Sequence, residues 1–303
     1  MKKLEFNEFA GEIVGGIREY LPESYCDAHI TLNKVVKNND LRLTGLAIRT
    51  AGSNICPTIY LEQFYKEYQT GKNIDDILSK IAAIRVKHEV KQPFDTDFIA
   101  DFEQVRTKII PRLIGAKWNK HILFQRPYTM IDDLAVIYHI DMGERDFDCR
   151  ATIPVTNDII RAWNVELETV HEQAVSNMIQ YMPSSLMSMG QAIGEMTGAS
   201  FEEEAMYVLS NQGKMFGATA LLDHTMMKSI VERFGEIYIL PSSLHEVLII
   251  KATADFEISQ LEDMIRGVNA DVVAQEDRLS DHVYGYDAET GLFSIESRGR
   301  CND

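Results

Sequence analysis

Apolar and polar residues alternate through residues 41–48, with Leu41, Leu43, Gly45 and Ala47 on one side and Arg42, Thr44, Leu46 and Ile48 on the other. A period of two predicts a strand, and apolar residues on both sides at its far end predict burial there. Gly52, Ser53 and Asn54 supply a turn, because Gly and Asn tolerate positive φ. Residues 55–60 read as a second strand, in which Pro57 suits an edge or a bulge. Tyr60, Leu61, Phe64, Tyr65 and Tyr68 then recur at helical spacing, so strand, turn, strand and helix share one apolar face. The same order recurs from Asp133 and, shortened, from Met206.

The rest of the chain is read in the same way. Phe6, Phe9, Ile13, Ile17 and Tyr20 predict an amphipathic helix that stops at Pro22. Residues 27–36 alternate as a strand, Lys37, Asn38, Asn39 and Asp40 form its turn, and Leu41 begins the hairpin partner. Gly71 closes the helix that follows, and Asn73 caps another carrying Ile74, Ile77, Leu78, Ile81 and Ile84. Lys91, Gln92 and Pro93 read as a linker, after which Phe98, Phe102, Val105 and Ile109 predict a helix. Residues 122–125, 133–140 and 150–155 read as strands, and Ile159, Ile160 and Trp163 as a short helix. Asn164 is expected to cap a longer helix with Leu167, Val170, Ala174, Val175 and Met178.

Residues 5–89 and 98–180 therefore share one order: helix, three strands, short helix, capped long helix. Their residue identity is slight, so the shared order alone points to an internal duplication of subdomain size. Residues 183–198, with Met187, Met189 and Met196 among glycines and small polar residues, read as a connector. Beyond it, residues 205–209, 216–222, 237–240 and 247–250 are expected strands, with helices over 223–234 and 258–268. Residues 282–286 and 292–295 form a closing hairpin. The reading is an α+β fold, with mixed or antiparallel sheets and helices packed on one face. Its expected parts are subdomains at 1–90 and 91–182, a Met/Gly-rich connector at 183–200 and a C-terminal domain at 201–303.

Composition narrows the function classes. The hydrophobic fraction of 45% suits a packed globular protein. No apolar run reaches the roughly 18 residues that a membrane span needs. Glu5, Glu8 and Glu12 interrupt any signal-peptide core, so a cytoplasmic location is expected and no membrane partner. Cys26, Cys56, Cys149 and Cys301 are scattered without a CxxC pair, which argues against a disulfide framework or structural zinc. The first three are expected in strands as small buried hydrophobes. The net charge of −16 repels phosphates, so direct nucleic-acid binding is not expected. It suits a protein partner with a basic surface.

Six segments carry a resemblance: Val35-Val36-Lys37-Asn38-Asn39, Gly45-Leu46-Ala47-Ile48, Pro57-Thr58-Ile59-Tyr60-Leu61, Asp133-Leu134-Ala135-Val136, Phe216-Gly217-Ala218 and Ile239-Leu240-Pro241-Ser242-Ser243-Leu244-His245-Glu246-Val247. Together they resemble a family of bacterial proteins known only as a domain of unknown function, chiefly from anaerobic Gram-positive organisms. The resemblance runs from near residue 27 to near residue 290. It implies no activity, cofactor or catalytic residue.

The sharpest chemical candidate is the turn holding Ser242, Ser243, His245 and Glu246, where two hydroxyls, an imidazole and a carboxylate meet between strands. A serine activated by histidine is a known nucleophile, although its partners are set by geometry rather than adjacency. Neither serine lies in a GxSxG elbow, and serines in a turn commonly hydrogen-bond its backbone. A metal site could draw on His121, His139, His171, His224, His245 or His282, yet no HExxH or His-x-His pair occurs and none is expected. Asp132, Asp133, Asp141, Glu144, Asp146 and Asp148 make an acidic cluster whose spacing departs from an EF-hand. Walker A and GxGxxG loops are absent, so no cofactor is expected. Three readings follow. The first is a non-enzymatic protein-interaction module. The second is a hydrolase centred on Ser242, Ser243, His245 and Glu246. The third is an acidic nucleic-acid mimic that blocks a basic DNA- or RNA-binding protein.

Overall fold

The computed structural model describes residues 3–53, 56–89, 96–145, 149–198, 205–252 and 257–296. Helix α1 (Phe6–Gly16) opens where Glu8 accepts the N–H of Glu5 at 2.9 Å, and it tightens into a 3-10 turn at Ile17–Tyr20. Strands β1 (His29–Val36) and β2 (Arg42–Arg49) pair antiparallel from His29↔Arg49 to Val36↔Arg42. β3 (Thr58–Tyr60) joins the other side of β2. α2 (Leu61–Gln69) and α3 (Ile74–Lys87) follow. Asn73 caps α3 by accepting the N–H of Asp76 at 2.7 Å. Asp75 and Asp76 in the first turn of α3, and Arg85 and Lys87 in its last, suit the helix dipole.

The chain divides into two units. The first holds residues 1–37 and 41–96, and the second holds Asn38–Asp40 with residues 97–303. The first unit has its own core of Phe9, Ile13, Ile17, Leu46, Ile48, Phe64, Ile77 and Ile81. Arg85 is only 1% exposed in that unit. Its charge is tolerated because Nε donates to the Ile48 carbonyl at 2.8 Å, while the guanidinium donates to the Tyr25 hydroxyl at 3.1 Å.

The second unit begins with α4 (Phe102–Val105), β4 (Ile109–Gly115), α5 (Lys120–Gln125), β5 (Tyr128–Ile131), β6 (Leu134–Arg145) and β7 (Cys149–Pro154). α6 (Asn157–Trp163) and α7 (Leu167–Tyr181) complete this half. The sheet runs β4-β6-β5, with β7 pairing the far end of β6. Thus β6 lies between β4 and β7 as β2 lies between β1 and β3, and two helices follow in each case. α5 and β5 are inserted in the later stretch.

The remaining elements are β8 (Ser184–Ser188), α8 (Met189–Thr197), β9 (Met206–Asn211), α9 (His224–Phe234), β10 (Ile237–Leu240), β11 (Val247–Lys251), α10 (Ile258–Asp271), β12 (Tyr284–Asp287) and β13 (Leu292–Ile295). They form a six-stranded sheet in the order β13-β12-β10-β11-β9-β8. Every strand pair among the described residues is antiparallel, and the fold is α+β. Ile237, Ile239 and Ile249 pack with Met227 and Ile230 of α9, whereas Leu240 and Ile250 pack with Leu261 and Ile265 of α10. Helices therefore cover both faces of this sheet, where one covered face was expected.

Several local expectations are corrected. Residues 122–125 belong to α5 and residues 217–222 to a 3-10 turn, where strands were expected. Both apolar runs are too short for periodicity to separate the two states. Asn164 adopts φ 53° and ends α6, so it is a left-handed C-cap, and Glu166 precedes α7. The expected connector holds β8 and α8, and Ser188 and Gln191 cap α8 reciprocally. One core runs from Val105 through Ile295, so residues 97–182 and 205–296 share a hydrophobic interior rather than forming separate domains. Cys26 is exposed beside a 3-10 turn rather than buried in a strand, and Cys56 precedes β3. Among the described residues no helix is long and apolar enough to cross a membrane.

The Asn38–Asp40 turn is built on Asn39 and Asp40 at φ 58° and 57°, which asparagine and aspartate tolerate best after glycine. Within the second unit, Asn39 N–H donates to Asn119 Oδ1 and Asn119 Nδ2 donates back to Asn39 Oδ1, each at 2.8 Å. Asn39 Nδ2 also donates to the carbonyls of Gln275 and Arg278 at 2.7 and 2.6 Å.

Candidate functional site

The turn read from sequence lies between β10 and β11. Ser243 Oγ accepts the backbone N–H of His245 at 3.1 Å, and the Ser242 carbonyl accepts the N–H of Leu279 at 3.1 Å. The Ser243 hydroxyl thus serves the turn's backbone, and Ser242 engages Leu279 through its main chain. The His245 ring accepts the N–H of Phe216 at Nδ1, 3.3 Å away, and faces Asp277 Oδ1 with Nε2 at 3.3 Å. Its acidic partner is Asp277, 32 residues further on, while Glu246 is exposed. Phe216, at φ 53°, packs on the His245 ring at 5.4 Å and beneath the Arg112 guanidinium at 3.7 Å. Gly217 is required beside it, since a Cβ there would stand 2.1 Å from Ser210 Oγ and 2.4 Å from the His245 carbonyl. The structure joins His245 to Phe216 and Asp277, and it brings neither serine hydroxyl to a ring nitrogen.

A different place in the second unit is concave. A cleft of about 810 Å³ is walled by one face of α7, the end of β5, the 3-10 turn, the start of α9 and the β12–β13 hairpin. α7 presents His171, Val175, Ser176 and Ile179 to it, following helical spacing, and buries Val170, Ala174, Asn177 and Met178 on its opposite face. Asn177 fixes that orientation by donating to the carbonyls of Arg106 and Ile109 at 2.7 and 2.8 Å. Leu221, Leu222, Ile131 and Phe293 make further apolar wall.

Two imidazoles interrupt this apolar lining. Tyr138, fully buried on β6, places its hydroxyl 3.0 Å from Nδ1 of His171 and 2.6 Å from Oγ1 of Thr129 on β5. Phenol is the stronger acid of the two hydroxyls and imidazole nitrogen the strongest acceptor present. Thr129 therefore donates to Tyr138, and Tyr138 donates to Nδ1, which leaves the ring proton of His171 on Nε2. Burial pushes the Tyr138 phenol up to about 12, slightly opposed by the Thr129 bond. Burial also lowers the His171 imidazole; Glu172 opposes that shift and His224 adds to it. His171 is therefore neutral at pH 7.

His224 is the first residue of α9, held there by Asp223, which accepts the N–H of Met226 at 3.1 Å and the Ser184 hydroxyl at 2.9 Å. Its Nδ1 lies 3.4 Å from the Tyr286 hydroxyl. Gly291, at φ 70°, packs against this ring, and a Cβ there would lie 3.3 Å from it. Asp132 and Glu172 stand exposed at the rim, and Asp132 Oδ2 accepts the N–H of Ile295 at 3.2 Å.

The remaining histidines are dispersed. His139 is buried and faces Arg126 at 3.4 Å, and His282 lies 3.7 Å from Asp133 and 3.6 Å from Glu262. Among the described residues no group of three or more His, Cys, Asp or Glu side chains is placed to hold a metal ion. Of the acidic cluster, Asp133 accepts a hydrogen bond from Tyr284 and Asp141 accepts the N–H of Gly143 at 3.0 Å. Asp146 and Asp148 lie outside the described residues. Sequence reading missed the cleft because its walls come from five elements spread between residues 130 and 293. The helical spacing of His171, Val175 and Ile179 was the available signal.

No curated protein and no solved structure matches the chain. A family model does match, over residues 6–288, and the chain belongs to the family of unknown function DUF5688.

Proposed function

We propose that the protein is a non-catalytic binding protein whose cleft between α7, α9 and the β12–β13 hairpin receives a small, largely apolar molecule. The carrying observation is the cleft itself, at about 810 Å³ with apolar walls and a few convergent polar groups. Ligand sites commonly enclose roughly 300–1,000 Å³ and have that composition. His171 and His224 are the imidazoles of the lining, and the hydroxyls of Tyr138 and Tyr286 behind them stand 3.0 and 3.4 Å from their Nδ1 atoms, so each ring can orient a ligand through its other nitrogen. Titration with the neutral dye Nile red tests this. Saturable fluorescence enhancement that disappears in Ser176→Trp, which fills the cleft from an exposed position, supports the reading. Enhancement that is absent, or untouched by Ser176→Trp, overturns it.

A second reading places an apolar side chain of a protein partner in the same cleft. It is favoured by large hydrophobics exposed in its lining, Met130 at 46% and Ile179 at 44%. Native mass spectrometry of protein purified from its own cells separates the two, through a small co-purifying mass or a second polypeptide.

A further inference from the structure

Building on the binding reading, we infer that the ligand is an uncharged apolar compound bearing a carbonyl group, such as a ketone, ester, lactone or amide, and that His171 Nε2–H is the donor it engages. Tyr138 sets the protonation of the His171 ring. Its hydroxyl occupies Nδ1 of His171 at 3.0 Å and is itself held by Thr129 at 2.6 Å. That chain fixes the tautomer, so the ring's other nitrogen presents a proton on the half-buried wall of the cleft. A donor in an apolar wall needs an acceptor from its ligand, because a donor left unpaired on binding costs affinity.

Charge then selects among acceptors. Asp132 and Glu172 line the cleft and the chain carries a net charge of −16, so a carboxylate ligand is repelled. An ammonium would meet those two carboxylates only at the solvated rim, where pairing is weak. It would also oppose its own N–H donors to that of His171. A carbonyl oxygen satisfies the donor without either penalty, and its hydrocarbon remainder covers Val175, Ile179, Leu221 and Phe293.

The test is competition against Nile red by three probes of equal chain length, methyl octyl ketone, capric acid and decylamine, above the ordinary imidazole pKa. The ketone is expected to compete about tenfold more strongly than either charged probe. His171→Leu, which removes the donor and keeps an apolar wall, should weaken the ketone roughly threefold to tenfold and leave decylamine unchanged. Tyr138→Phe, which removes only one hydroxyl, should weaken the ketone in the same direction. Caprate or decylamine competing as well as the ketone overturns the ligand class while the cleft stands. Ketone binding indifferent to both substitutions overturns the role of His171. Bound Nile red that none of the probes displaces overturns the ligand class, and failure of the dye itself to bind overturns the cleft reading on which the inference rests.

Discussion

The hydroxyl of Tyr138 stands 3.0 Å from Nδ1 of His171, joining a buried residue of β6 to the cleft face of α7. Three side chains, Thr129, Tyr138 and His171, act as one relay of hydrogen bonds. The relay decides which nitrogen of the imidazole carries its proton, and so what the cleft can recognise.

Removing its central hydroxyl should also be felt in stability. Tyr138→Phe leaves His171 Nδ1 and Thr129 Oγ1 without that partner in a part-buried setting. The expected loss is about 1–2 kcal/mol, read from the midpoint of urea unfolding. An unchanged midpoint would show that water replaces the hydroxyl freely.

Acid should destabilise the protein earlier than its carboxylates require. Burial lowers the His139 imidazole, with Arg112 and Arg126 adding to the effect, and burial lowers that of His171. Because their folded pKa values lie below the unfolded value of about 6.5, the unfolded chain binds more protons beneath that pH. Stability is therefore fully present above about 6.5 and is lost as pH falls below it toward the folded values. Denaturant midpoints at pH 8, 6 and 5 should decline across this window. A flat profile down to pH 5 would contradict the lowering of both imidazoles.

Gly291→Ala should be costly for two reasons. Its φ of 70° disfavours a side chain, and its Cβ would press on the His224 ring at 3.3 Å. A loss of about 1–2 kcal/mol is expected, with weaker Nile red binding as His224 shifts. Wild-type binding and stability in this variant would remove His224 from the account.

Asn39→Ala tests the polar centre of the Asn38–Asp40 turn. The substitution strips the amide that Asn119 Nδ2 donates to and the bonds to the Gln275 and Arg278 carbonyls. Asn119 is 1% exposed, so its amide has little access to water in place of the lost partner. The expected cost is about 2–4 kcal/mol in denaturant unfolding.

The strands with the strongest patterns were the most legible in sequence. Residues 237–240, an apolar run, and 292–295, the second arm of the closing hairpin, have the expected bounds in the structure. Residues 122–125 and 217–222 were not, because a short apolar run looks alike as a turn of helix or a strand. The His245 turn was visible as a cluster, but its partners were not. Asp277 lies 32 residues away, and the Ser243 hydroxyl is occupied by the His245 N–H. His171 looked like an isolated histidine on a helix, since the hydroxyl that orients it sits 33 residues earlier on a strand. Contacts of that kind are set by packing, which no local pattern encodes.

The most direct measurement is a crystal structure of the protein soaked with methyl octyl ketone. Density is expected in the cleft, with the carbonyl oxygen within hydrogen-bond distance of His171 Nε2 and the alkyl chain along Val175, Ile179 and Phe293. Density elsewhere, or a carbonyl turned away from His171 toward solvent, would contradict it.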